Sequence, residues 1–188
     1  MNSREKQREE TKKRIYECAF RLFVDKGFAN VKVQDIAVEA GISIGGLYHH
    51  YKSKEDILDY GYYAFDEDLK EYYGRQEIHS PREGIHALIG YQMQVCVERG
   101  ASIISITFRN QLGAKTTYRY WNGRFLWTKL VENLQEAGLD QASSEEAGRY
   151  ILRTARGSVY DWCCLDGGFD LVLETLSQID MILEHYGI

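Results

Sequence analysis

Proline is almost missing from this chain: Pro81 is the single one in 188 residues. Its scarcity beside long amphipathic stretches argues for an all-α protein with little room for a sheet. No leader peptide and no apolar run long enough for a bilayer are present, so a cytoplasmic protein without a membrane partner is expected. The 4 cysteines, Cys18, Cys96, Cys163 and Cys164, make no C-x-x-C spacing, which fits a reduced compartment. Adjacent Cys163 and Cys164 invite a redox or metal-sensing pair. Neighbours on a helix point in different directions, however, and buried, inert thiols are the expectation. The 5 histidines lack a ligand-spaced partner, so neither a metal nor a cofactor is expected. With no Ser/His/Asp set and no phosphate-cradling glycine loop, an enzyme is not expected either.

What the chain does have is a split in charge. Residues 1–54 carry 11 Lys+Arg against 7 Asp+Glu, a net of +4, while residues 55–188 carry 12 against 21, a net of −9. The positive end suits phosphate and the acidic end does not. At 44% hydrophobic content the chain can also bury a real core.

Apolar periodicity and cap signals divide the chain into nine helices. The first is expected from near Glu10, after a charged, frayed start, to Gly27, with Ile15, Ala19, Leu22 and Phe23 as its buried stripe. Two short helices follow, and a fourth opens at Ser53 with Asp56 three residues on. Ser80, Pro81 and Glu83 open a fifth that reaches Arg99. The rest are expected over 101–112, 117–137, 143–165 with Ser143 and Glu146 as a capping box, and 170–186. Residues 1–54 then make a three-helix head, and 55–188 a body of about six helices.

Residues 31–54 are the most informative stretch. Val33, Ile36, Ala37 and Ala40 fall at helical spacing, and Gly41 supplies the left-handed backbone that a sharp stop needs. Ile42 fills the angle, Ser43 caps the next helix, and Leu47 with Tyr51 continues the buried face. This is a helix-turn-helix, a shape that fits the major groove of DNA. Asp35-Ile36-Ala37, Ala40-Gly41-Ile42-Ser43, Leu47-Tyr48-His49-His50-Tyr51 and Lys52-Ser53-Lys54-Glu55 together resemble the tetracycline-repressor (TetR) family of bacterial transcription regulators. The resemblance covers about residues 10 to 58.

That resemblance implies DNA contacts at Lys32, Val33, Gln34, Ser43, Ile44, Gly45, Gly46, Tyr48 and His49. It also implies that Lys54 meets a phosphate at the head of the fourth helix. Chemically, Gln34 is the best base reader, with adenine its bidentate partner, and Ile44 can touch a thymine methyl. Lysines, helix amino termini and the Tyr48 hydroxyl set position on phosphate. Two positions depart from the family pattern. Lys32 stands where a Ser or Thr cap is usual, and Gly45-Gly46 weakens a helix by about 1 kcal/mol per glycine relative to alanine.

The body is rich in aromatic residues. Singly each reads as core; as a set, Tyr62, Phe65, Tyr91, Phe108, Trp121 and Trp127 are the candidate lining for an aromatic or hydrophobic effector, with His86, Arg109 and Asn110 adding polarity. On the last two helices Ile151, Leu152, Ala155, Val159 and Trp162, with Leu176, Ile179 and Leu183, form the candidate dimer interface. The family pairs these helices across a twofold axis, and packing within one chain is the competing account. The reading is a homodimeric regulator, a repressor released from a pseudo-palindromic operator by a small molecule. Its partners would be double-stranded DNA, itself and that unidentified effector. The alternatives are a helical protein-interaction module without DNA binding and, with less support, an enzyme.

Overall fold

The structure is a computed structural model that describes residues 3–113 and 124–188, without the side chains of residues 3, 62, 63 and 110–113. Within these residues the chain is nine α-helices: α1 (Ser3–Lys26), α2 (Val33–Glu39), α3 (Ile44–His50), α4 (Lys54–Gly74), α5 (Pro81–Arg99), α6 (Ala101–Gly113), α7 (Phe125–Glu136), α8 (Gln141–Cys164) and α9 (Leu171–His185). A short 3-10 turn, Phe28–Asn30, separates α1 from α2. The all-α expectation holds, and no described helix is long and apolar enough to cross a membrane.

Three boundaries differ from the sequence expectation. α1 starts at Ser3 rather than near Glu10, because its charged opening is made of good helix formers with neither Gly nor Pro. α8 is capped by Asp140, whose carboxylate accepts from the Ser143 N–H at 2.8 Å, so Ser143 lies inside the helix instead of starting it. That bond also holds the Asp140 carboxyl below the usual range. α7 begins at Phe125 with Arg124 extended (φ −85°, ψ 140°), and the expected residues 117–123 lie outside the described ones.

The apolar side chains collect into two cores. The head core joins Ile15, Ala19 and Phe23 of α1 to Ile36, Ala37, Leu47 and Tyr51, and it draws Ile57 and Leu58 from α4 and Ile103 from α6. The body core is built by α4 to α9 around Leu69, Leu88, Met93, Leu130, Ile151 and Ile179. α4 therefore belongs to both, as one continuous rod. Tyr73 near its far end donates to Asn133 Oδ1 of α7 at 3.2 Å and accepts from Asn133 Nδ2 at 2.9 Å. Gly84 of α5 leaves the space these polar groups occupy.

The candidate dimer residues need correction. Ile151, Leu152, Ala155, Val159, Trp162, Ile179 and Leu183 are all buried inside a single chain. Leu176 packs its Cδ1 towards Gly90 of α5. Apolar periodicity marks a covered face without saying what covers it, and here the neighbouring helices do. The opposite sides of α8 and α9 carry Tyr150, Tyr160, Leu165, Leu173 and Met181, all exposed.

Candidate nucleic-acid interface

The helix-turn-helix forms by the local rules that its sequence suggests. Ala40 closes α2, Gly41 takes φ +64°, and the Ile42 N–H reaches back to the Ala37 carbonyl at 3.0 Å. Ser43 Oγ then accepts from the Gly46 N–H at 3.0 Å and opens α3. A Cβ on Gly46 would stand 3.2 Å from that hydroxyl, whereas one on Gly45 would meet nothing. Gly46 thus protects the cap, and Gly45 leaves an open patch of backbone. The missing cap at Lys32 is offset differently: the Asp35 carboxylate accepts from the Lys32 N–H at 2.8 Å, which is the half of a capping box that needs no hydroxyl.

Most of the candidate contacts lie at the surface of the head. Lys32, Gln34, Ser43, Ile44, Gly45, Tyr48 and His49 are exposed there, with Tyr48 at 53% and Ile44 at 43%. An exposed aromatic and an exposed aliphatic side by side on a seven-residue helix are not explained by the core. Val33 is half-buried against the head core, and Gly46 is half-buried beside its cap. His50 differs from His49: it is half-buried, its ring 5.6 Å from the His49 ring and edge-on to it.

Lys54 has a structural task. Its Nζ donates to the carbonyls of Phe28 (2.7 Å) and Val31 (3.2 Å) and sits 4.4 Å from the centre of the Phe28 ring. The first residue of α4 therefore holds the loop that leads into α2. Two of three ammonium protons are spent on it. We expect Lys54→Met to lower the stability of the head by about 1–2 kcal/mol, because two carbonyls lose a charged donor. Thermal melting checks this, and an unchanged midpoint would deny the clamp.

The aromatic set in the body is only partly brought together. Phe65 is buried with its ring 5.8 Å from Tyr91, and Tyr91 stacks on Tyr72 at 4.5 Å. Tyr72 was not among the expected residues, although its spacing from Phe65 and Leu69 on α4 marks the same face. Trp127 lies against Gly148 of α8 instead, and Phe108 packs on the body core. The Tyr62 side chain, Trp121 and the Asn110 side chain lie outside the described residues. Nor does His86 add polarity to the cluster: its Nε2 is 2.6 Å from Asp180 of α9. At the cluster's edge Arg124 grips Asp66 of α4 with two hydrogen bonds, 2.8 and 2.7 Å, and stands over Phe65.

Of the cysteines, Cys18 is buried, Cys96 and Cys163 are half-buried and Cys164 is exposed, so the expectation of buried thiols fails at Cys164. Burial pushes the Cys96 thiol up to about 12, which leaves it inert. Among the described residues no cluster of His, Cys, Asp or Glu could hold a metal.

Residues 15–60 match the profile of the bacterial regulatory proteins, tetR family. Over that stretch the chain is similar to the family. A stretch of 49 residues is 53% identical to the uncharacterized HTH-type transcriptional regulator YerO of Bacillus subtilis (strain 168), covering 26% of this chain and 17% of YerO. Another of 110 residues is 31% identical to an HTH-type transcriptional regulator of Staphylococcus aureus (strain USA300), covering 56% of this chain and 58% of that protein. The chain thus spans little more than half of the second relative and much less of the first. Among solved structures, the Thermus thermophilus FadR repressor in complex with lauroyl-CoA aligns with a TM-score of 0.67 at 23% identity, over 92% of this chain and 93% of that one. Bacillus subtilis FadR in complex with stearoyl-CoA aligns with a TM-score of 0.56 at 22% identity, over 90% and 96%. At such identity the likeness is one of fold.

Proposed function

We propose that this chain is a TetR-family regulator, a homodimeric transcriptional repressor that leaves a pseudo-palindromic operator when a small hydrophobic effector enters the body. The observation that carries the reading is the exposed side of the helix-turn-helix, where Gln34, Ile44, Tyr48 and His49 face solvent while Ile36, Ala37 and Leu47 of the same two helices are turned into the head core. Gln34 would read adenine, Ile44 a thymine methyl, and Gly45 would let backbone approach the groove. Tyr48 and the third proton of Lys54 would hold phosphates. Few base readers are available, so DNA shape and half-site spacing would supply much of the specificity.

Two heads about 34 to 36 Å apart would occupy successive major grooves. The exposed sides of α8 and α9 supply a face for the second copy, and Gly157, exposed with open space around it, permits close approach there. Tyr160→Glu combined with Met181→Glu should turn the dimer into a folded monomer, since neither side chain supports the chain's own core. Sedimentation with circular dichroism reads this; a dimer unchanged by both charges would assign the interface elsewhere.

Release would run along α4. The rod is fixed in the head by Lys54, Ile57 and Leu58 and in the body by Phe65, Asp66 and Tyr73. An effector wedged beside Phe65, Tyr72 and Tyr91 would move both ends together. A tenfold loss of DNA affinity needs about 1.4 kcal/mol of coupling. Enrichment of bound duplexes from a random-sequence library tests the reading and should return two inverted half-sites. Acyl-CoA thioesters, the ligands of the two FadR structures, are the first effectors to add. A library returned without enrichment would refute the function, and enrichment insensitive to every bound effector would refute the switch.

A further inference from the structure

His50 occupies a position that its neighbour His49 does not. Tyr51, next in the chain, is buried and donates its hydroxyl to the Lys12 carbonyl at 3.0 Å, so the end of α3 is fastened to the first half of α1. Two basic residues of that half, Arg8 and Lys12, lie one helical turn apart, and the charge of both acts on the His50 ring. The facing acid is Glu9, and its carboxylate is already 3.6 Å from the Lys12 ammonium. His50 Nδ1 is buried with no hydrogen-bond partner. In the free head, then, the ring feels two cations of α1 and its Nδ1 has no acceptor.

We propose that the head takes up a proton as it closes on DNA, and that His50, gripped between α1 and a backbone phosphate, is where the proton goes. Burial first, then the charges of His49, Arg8 and Lys12, hold the free imidazole below its ordinary value against the weaker pull of Glu9. A phosphate arriving at this basic cluster reverses the local field. It offers a negative charge to Arg8 and Lys12 and an acceptor to the ring. Binding therefore favours the imidazolium, and Arg8, Lys12 and His50 become one phosphate clamp that spans α1 and α3.

The sign of the pH effect follows. Above the bound-state value both forms of the head hold a neutral ring and affinity is flat. Between the bound-state value and the depressed free-state value the complex holds one proton more per head, so affinity rises as pH falls, by up to about tenfold per pH unit per head. Stability of the free head moves the opposite way. Its folded His50 prefers the neutral ring, so acidification below about 6.5 weakens the fold. A pH-induced loss of structure cannot therefore imitate the predicted gain in affinity.

This inference rests on the DNA-binding reading, and the test separates the two. The probe is the duplex enriched by the full-length chain from the random library, titrated at constant salt between about pH 5.5 and 8. Wild type should bind more tightly as the pH falls. His50→Gln should bind with a flat profile, and Arg8→Gln with Lys12→Gln should reduce the wild-type slope. Titration of the His50 ring proton resonances, free and bound, should show the value rising on binding. A wild-type profile without slope, or a slope that survives His50→Gln, overturns the proton clamp alone. A library that yields no enriched duplex overturns the clamp and the DNA-binding reading together.

Discussion

Gly84→Ala should destabilise this chain more than any other single methyl addition on the described surface of its core. A Cβ built on Gly84 falls 2.1 Å from Asn133 Oδ1 and 2.7 Å from the Tyr73 hydroxyl. Asn133 is only 3% exposed, and its amide also donates to the Lys129 carbonyl at 2.7 Å, so it has no free direction in which to retreat. The methyl must either push α5 away from α7 or break the Tyr73–Asn133 pair. Overpacking of this kind costs about 1–3 kcal/mol, and a buried amide that loses its partner costs a similar amount. We expect a loss of about 3 kcal/mol, which lowers the melting midpoint by roughly 6–12 °C in a domain of this size. Because the pair ties α4 to α7, the partly relaxed variant should also respond less to an effector. Gly84→Ala with Asn133→Ala should recover part of the loss, since the second change removes the atoms that collide. A melting midpoint within a degree of wild type for Gly84→Ala would mean that the α4–α5–α7 junction is not packed as described.

The second large effect is on DNA and should leave the fold intact. Ile44 is 43% exposed at the first position of α3. Glutamate there should raise stability slightly, because a carboxylate in the first turn of a helix complements its dipole. On the proposed DNA-binding side the same carboxylate would face the groove and its phosphates. Repulsion together with the lost apolar contact should weaken duplex binding on the order of 100-fold, equivalent to about 2.7 kcal/mol. Ile44→Glu thus separates the two accounts of this residue: for a DNA-reading side chain, affinity collapses while the melting midpoint holds or rises. For a head that acts as a protein-interaction module, duplex binding would be absent in wild type and variant alike.

How much of this was legible in the sequence depends on the range of the physics involved. The turn between α2 and α3 was legible because its determinants are local: Gly41 for the left-handed residue, Ser43 for the cap, and Ile36 with Leu47 for the buried side. Helix starts were less so where two acceptors competed. Asp140 and Ser143 both offered a cap, and the ionised side chain that comes first won. The core of the body was legible as apolar stripes, but the stripe on α8 and α9 fits a surface between copies as well as one between helices of a single chain, and burial within one chain favours the second for most of its residues. Periodicity records burial and not the identity of the neighbour. Lys54 carries the same lesson: its partners, the Phe28 and Val31 carbonyls, lie some two dozen residues away and leave no trace in the spacing. Neither do the Arg124–Asp66 and Tyr73–Asn133 pairs. His49 and His50 looked alike on paper, and only the packing of α1 against the end of α3 separates an exposed ring from an enclosed one.

The salt dependence of duplex affinity tests the central claim most directly. If the basic head with its net charge of +4 over residues 1–54 grips phosphates, each contact releases counterions, and the logarithm of the association constant should fall with the logarithm of salt concentration by about 0.9 per phosphate neutralised. Two heads with Lys54, Arg8 and Lys12 in place predict a slope of about −4 or steeper on the enriched duplex, made shallower by Arg8→Gln with Lys12→Gln. A flat line, or no measurable association at low salt, would contradict the account at its foundation.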